Sequence, residues 1–383
     1  MQKINRANGL DTLRAVAITL VFMYHYMVFV SDEPTFGFAS VVGWVGVDLF
    51  FVLSGYLIAN QIFAGIARGQ QLSPKYFYIR RGLRTLPAFW FVLALYFVFP
   101  AFMGGRPPPP LWRFLTFTQN LGLHGGTAFS HAWSLCIEEQ FYLVLPLLVG
   151  AGAGVINFSS RAWVLIVTLL VVGIISRTLL WYEYGENDYQ QYIYYSTLCR
   201  FDEFLPGVAL ALLKNFHRPV WKRITRHGER TLTVGILATG GMLYAVYHGH
   251  FTNDSAYHAF IVCLGFSLMA MAFAILVLAA LSPGSLLHRV RVPGAYHIAL
   301  WSYSIYLSHK AIAFILNTLL SRWEIPSGLK PLIIGCACVV VGLSLHRLIE
   351  MPFMMLRDWL FPTSFATDVA RQTNVNVATN VSQ

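Results

Sequence analysis

Residues Leu13 to Tyr26 read LRAVAITLVFMYHY, an apolar run with an arginine near its start and a histidine near its end. A run of this kind reads as a transmembrane helix, and it raises the question of why such a segment keeps Arg14 and His25. The two are eleven residues apart, which at about 100° per residue is three turns plus ~20°, so both side chains share one helix face about 16 Å apart. If the helix enters the hydrocarbon near Leu10, Arg14 sits just inside one boundary, while His25 lies roughly 22 Å along a core about 30 Å thick. Arg14 can snorkel to the headgroups. An imidazole at the depth of His25 needs a cavity or a partner, and it is the side chain best suited to proton transfer near neutral pH.

Composition extends this reading to the whole chain. Of 383 residues, 56% are hydrophobic and only 11% charged, too few polar side chains to cover a soluble globule. Ten candidate spans are centred near Thr19, Phe51, Leu95, Phe141, Leu169, Leu205, Gly240, Ala270, Tyr306 and Val339. The expected fold is all-α, a polytopic integral membrane bundle of about ten transmembrane helices. No internal repeat stands out, and no cleavable signal follows the first apolar run. With the N-terminus inside, 18 Lys and Arg residues fall on the cytoplasmic side and 4 on the other, which places both termini in the cytoplasm. Basic residues held on that face explain most of the net charge of +10 without a nucleic-acid partner. The five cysteines show neither a disulfide framework nor metal spacing, and no metal is expected.

Further polar islands interrupt the apolar sequence. VGVDLFFVLSGYLI, Val45 to Ile58, carries Asp48 and Ser54, with Gly46 and Gly55 permitting close helix approach. Ser54 lacks a nucleophile-elbow context and suits a helix-to-helix hydrogen bond. HAWSLCIEEQFYLVLPLL, His131 to Leu148, puts Glu138 and Glu139 in a span where at least one should be buried and paired. YIRRGLRTLPAFW, Tyr78 to Trp90, offers Arg80, Arg81 and Arg84 as a fork for phosphates, or as ordinary topogenic charges. WSYSIYLSHKAI, Trp301 to Ile312, adds Tyr303, Tyr306 and His309. Arg200 and Glu203 read as a structural ion pair or as the lining of an acceptor entrance.

Taken in order, these stretches resemble a known family. Arg14, ten residues and His25; FFxxSGY at Phe50 to Tyr56; RRxxRxxP at Arg80 to Pro87; WSLxxE at Trp133 to Glu138; SYxxYLxH at Ser302 to His309; and ExP at Glu350 to Pro352 resemble the acyltransferase-3 family of membrane O-acyltransferases, from about Leu10 to Pro352. The resemblance implies a ten-helix domain over residues 1–352, followed by a cytoplasmic tail over 353–383 whose polar end is expected to be disordered. It further implies a stand-alone form, without the esterase-like domain that some members carry after the bundle. His25 becomes the catalytic base, Glu138 its electrostatic partner, and Arg14, Arg80, Arg81 and Arg84 the holders of acyl-CoA. Asp48, Ser54, Tyr56, Trp133, Ser134, Arg200, Glu203, Tyr303, Tyr306 and His309 become channel or supporting residues.

The implied reaction moves an acyl group, by expectation acetyl, from cytoplasmic acyl-CoA to a hydroxyl of an exported or cell-envelope saccharide, with no permanently bound cofactor. The expected setting is a bacterial inner (plasma) membrane. The partners are then membrane lipids, a saccharide or lipid-linked saccharide, and proteins of glycan biosynthesis or export. Direct transfer competes with a relay through Ser54 or another hydroxyl. An amphiphilic small molecule such as a glycosylated natural product is the alternative acceptor. A transporter or lipid flippase is the alternative of another class, weakened by the missing repeat.

Overall fold

A computed structural model describes residues 8–152, 157–251, 255–323, 325–326 and 328–365; the far end of the C-terminal tail lies outside the described residues. Among those residues the chain is helical, with only two isolated β-bridges. In lipid every backbone N–H and C=O must be satisfied within the protein, and apolar runs of this length meet that demand as helices, each within its own segment.

Among the described residues the helices of 12 residues or more are, in chain order, α1 Asn8–Tyr26, α2 Gly46–Ile66, α3 Pro74–Val98, α4 Trp133–Gly152, α5 Phe158–Tyr184, α6 Leu205–Phe216, α7 Gly228–Phe251, α8 Phe266–Leu281, α9 Ala295–Leu320 and α10 Leu329–Leu345. A shorter helix, α11 Met351–Leu360, follows α10 through a π-helical turn at His346–Glu350. Among the described residues, seven helical stretches are long and apolar enough to cross a membrane, and they contain seven of the ten expected centres. The other three centres explain the difference. Gly240 and Tyr306 fall in helices of 24 and 26 residues that are more polar, with His309 and Lys310 inside the second. Leu205 falls where the helix is broken: a turn at Thr197–Arg200, a 3-10 turn at Phe201–Phe204, then α6.

That break has a physical cause. Arg200, Asp202 and Glu203 are fully buried there, and the tighter winding turns all three inward. Arg200 donates to Asp48 Oδ1 at 2.5 Å and to Glu203, while Arg177 of α5 forks onto Asp202 at 2.6 and 2.9 Å and also donates to Ser267 of α8. Three carboxyls and two guanidiniums therefore tie α2, α5, α8 and the broken segment together.

The hub of the bundle is α2, most of whose side chains are buried. It crosses α6 at glycines on both sides: a Cβ on Gly55 would strike the carbonyl of Phe204, and one on Gly207 would strike that of Val52. Gly46 meets the carbonyl of Ala17 of α1 in the same way, as its place in the span suggests. Cys136 and Cys199 fill core positions and Cys263 is half-buried; none forms a disulfide.

The bundle has two distinguishable ends. Leu10 and Arg14 lie level with Gln61 and Ser54 around one cavity, and Tyr24 packs beside Gly43, so α1 and α2 are antiparallel. Phe365 packs on Gly65 at the end of α2, and Ser73 N donates to Ser364 O at 2.9 Å before α3. The first and last described residues thus emerge at one end.

Candidate functional site

The last turn of α1 presents His25, the middle of α9 presents His309, and a 3-10 turn at Ser130–Ala132 presents His131. His25 Nδ1 lies 2.6 Å from His309 Nε2, with the rings stacked at 4.9 Å between centroids. His309 Nδ1 lies 2.8 Å from the carbonyl of Tyr306. A carbonyl only accepts, so His309 carries its proton on Nδ1; its bare Nε2 accepts, and His25 Nδ1 is the donor. Neutral His25 is thereby left with an unprotonated Nε2, the atom a general base needs.

The surroundings of this pair are fixed from behind. His131 Nε2 lies 3.3 Å from the carbonyl of Leu307, and its ring is 5.1 Å from that of His309. Lys310 is buried, donating to Thr127 O and Ser130 Oγ at 3.0 Å each, with its ammonium 4.5 Å from the Phe29 ring. Phe129, just before Ser130, holds φ at 57°, an uncommon conformation for a bulky residue that persists because its ring is fully buried and stacked on Tyr96 at 4.6 Å. Among the described residues these imidazoles do not form a metal-ligating group.

Nearer the end where the termini emerge lies a cavity of about 340 Å³. Arg14, Ser54, Arg81, Arg84, Ser134, Glu138, Tyr303 and Tyr306 all line it, together with Asp11, Tyr142 and Glu350. Ser54 Oγ donates to Glu138 Oε1 at 2.7 Å, and Tyr142 OH donates to Ser54 Oγ at 3.0 Å. Arg81 stacks 3.7 Å over the Tyr142 ring, with its Nε 4.0 Å from Glu139. Arg84 makes no hydrogen bond or ion pair among the described residues, which leaves its guanidinium available to an anion in the cavity. Tyr303 OH donates to Thr85 O at 2.7 Å.

Tyr306 joins the two regions. Its side chain lines the cavity, its hydroxyl accepts from Ser134 Oγ at 2.6 Å and donates to His131 O at 2.7 Å, and its carbonyl holds the His309 proton. One tyrosine thus touches both the arginine cavity and the histidine group.

Not every residue singled out in the sequence converges here. The hydrogen-bond partner of His25 is His309, whereas Glu138, expected beside His25, is engaged by Ser54, because α4 faces α2 at that level. Arg80 turns away from Arg81 and Arg84: its guanidinium donates to the carbonyl of Phe361 and to Asp358 Oδ1, the latter at 3.1 Å, clamping α11 to α3. Arg80 and Arg84 share a face by helix period, but Arg80 is held by α11 at Phe361 and Asp358, so the three arginines do not form one fork. Asp48, Arg200 and Glu203 belong to the buried ion network, with the Trp133 ring 5.0 Å from the Arg200 guanidinium. Tyr56 OH accepts from Lys214 Nζ at 2.8 Å, outside the cavity.

Sequence reasoning passed over several participants. His131 and Lys310 stood inside quoted stretches, and the lysine carried the general signal that an ionisable residue inside apolar sequence is functional until shown otherwise. Arg177, deep in α5, carried the same signal. Nothing in the sequence marked Tyr142, an ordinary aromatic in a membrane helix.

Comparison with known proteins adds an independent line. The model of a family described as an acyltransferase domain matches residues 7–347. The peptidoglycan O-acetyltransferase OatA of Listeria monocytogenes is 27% identical over 366 residues, covering 90% of this chain and 55% of that protein. The YrhL protein of Bacillus subtilis is 30% identical over 370 residues, covering 90% and 54%. The O-acetyltransferase OatA of Staphylococcus aureus is 27% identical over 365 residues, covering 90% and 56%. The chain thus spans a little over half the length of these curated relatives. No solved structure matches it.

Proposed function

The chain belongs to the acyltransferase-3 family of membrane O-acyltransferases, and from that premise we propose that it moves an acetyl group from cytoplasmic acetyl-CoA to a hydroxyl of a saccharide on the far side of the membrane. The observation that carries this reading is the His25–His309 hydrogen bond, which leaves His25 Nε2 bare on the helix that also places Arg14 in the arginine cavity. Relatives named as peptidoglycan O-acetyltransferases support a saccharide acceptor.

In this mechanism Arg84, with Arg14 and Arg81, binds the phosphates of CoA, and the pantetheine arm passes Tyr306 to bring the thioester to His25. His25 Nε2 takes the proton of the acceptor hydroxyl as its oxygen attacks the thioester carbonyl. The C–S bond breaks, CoA leaves as thiolate, and the imidazolium proton passes to that thiolate or to water. Direct transfer agrees with the place of Ser54, whose proton is directed at Glu138 rather than at His25.

The same reading has the chain cross a bacterial plasma membrane ten times, with both termini in the cytoplasm and the transferase domain ending near Pro352. The balance of Lys and Arg between the two ends supports that orientation. The test compares base-labile O-acetyl groups on envelope glycans in a deletion strain of the native host complemented with wild type or His25→Ala at matched protein levels. Wild type should restore the ester and His25→Ala should not; equal restoration would overturn the base assignment. Release of free CoA by purified protein separates transfer from transport, because a transporter returns its cargo unaltered.

A further inference from the structure

At the end of the bundle away from the termini, a groove of about 270 Å³ opens between the end of α1, the stretch at Val41 and Trp44 that leads into α2, the end of α5 with the turn after it, the end of α7 and the stretch that leads into α8. Rings dominate its walls: Tyr24, Trp44, Trp181, Tyr189 and Tyr194. They are held as platforms by one another, with Trp44 edge-on to Tyr194 at 6.0 Å and Trp181 edge-on to Tyr189 at 6.4 Å. Beneath Tyr194 the Arg200 guanidinium lies 4.8 Å from the ring centroid. Two π-helical turns, Gln190–Tyr194 and Ile261–Gly265, form two of its sides, a feature concentrated at functional sites.

The polar tips of these rings are uncommitted. Among the described residues, none of the three phenol hydroxyls or two indole N–H groups makes a hydrogen bond. At the rim Glu186 and His258 pair at 2.5 Å and add charged hydrogen-bonding capacity. An aromatic belt at a membrane interface turns its rings outward, as Tyr182 does at 83% exposure. The five groove rings are half-buried and enclose a common space.

We propose that this groove is a saccharide subsite, in which the C–H face of a pyranose lies against the rings while its equatorial hydroxyls exchange hydrogen bonds with their polar tips. A ligand with an apolar face and a wet edge matches such a lining. The inference rests on the acyltransferase reading for its place: Tyr24 precedes His25 on α1, so the groove lies at the level of the base on an adjoining face of the helix, with the two ring centroids 5.5 Å apart. A sugar held here neighbours the unit whose hydroxyl reacts.

The test uses the protein in nanodiscs with chitopentaose, cellopentaose and maltopentaose, three pyranose chains that differ in substituent and linkage. At least one should bind saturably, with Kd weakened about tenfold in Trp181→Ala and Tyr189→Ala and nearly unchanged in Tyr189→Phe, as a stacking contact requires. The bound sugar should also shield Trp181 of the wild-type protein from oxidation by N-bromosuccinimide, a readout that needs no variant to fold. Absence of binding by all three, or binding indifferent to these variants and without shielding, overturns the subsite. If sugar binding depends on the groove but no acetyl moves from acetyl-CoA, the transferase reading falls and the subsite stands. If acetyl moves and the acceptor KM ignores these substitutions, the subsite falls and the transferase reading stands.

Discussion

His309 acts on the proposed reaction only through the tautomer of its neighbour. His309→Leu removes the acceptor for His25 Nδ1–H, so kcat should fall at least about tenfold, part of the 10²–10⁴ that a positioned base supplies; His309→Gln, which can still accept, should recover much of it. Initial rates of acetyl transfer by the purified variants check this, and equal loss in both would make the histidine a packing residue. Arg84→Ala should raise the KM for acetyl-CoA by about ten- to a hundredfold, the loss of one charged hydrogen bond worth roughly 1.5–3 kcal/mol, while Arg80→Ala should leave it near wild type. Arg80 should instead be felt in thermal stability, through the clamp on Phe361 and Asp358. How far these residues were legible follows from what helix period can express. The eleven-residue spacing put Arg14 and His25 on one face, but that face does not say which neighbour meets it. Period also separates Arg80 from Arg81 without telling which one looks into the cavity, and the pairing of His25 with His309 joins residues 284 apart in the chain.

Among the elements, the long apolar helices were plain from sequence because lipid leaves a helix as the one solution for such runs. The break at Phe201–Phe204 was hidden, since its cause is an ion network whose other members lie on α2, α5 and α8. Nor did periodicity reveal the π-helical turns. One follows His25 at Met27–Ser31, two flank the aromatic groove, and the fourth carries Glu350 into the arginine cavity. The α2–α6 crossing yields a stability prediction. Gly207→Val adds side-chain atoms where the carbonyl of Val52 already stands, so it should destabilise the bundle by about 1–3 kcal/mol or more, read as a lowered melting temperature in detergent. Asp202→Asn should cost about 3–5 kcal/mol by stranding the buried Arg177, and Asp202→Glu should cost less.

For the whole molecule, the two ends carry different chemistry: arginines beside the chain termini, and histidines with aromatic rings toward the far side. On a cysteine-free background, a single cysteine at Asn187 should react with a membrane-impermeant maleimide in intact cells lacking an outer membrane barrier, whereas one at Arg226 should react only after lysis. Reversal of that pattern would invert the orientation and detach the proposed donor site from the cytoplasm. The buried ion network has a further consequence for biogenesis. Asp48 and its partner Arg200 are 152 residues apart, so several helices must leave the ribosome before the carboxylate can meet its guanidinium. A charged residue at the centre of a lone helix costs roughly 2.5–3.5 kcal/mol to place in lipid. Nascent chains that stop short of Arg200 should therefore hold α2 beside the translocon instead of releasing it, and the insertion machinery becomes the place where this bundle is first put together.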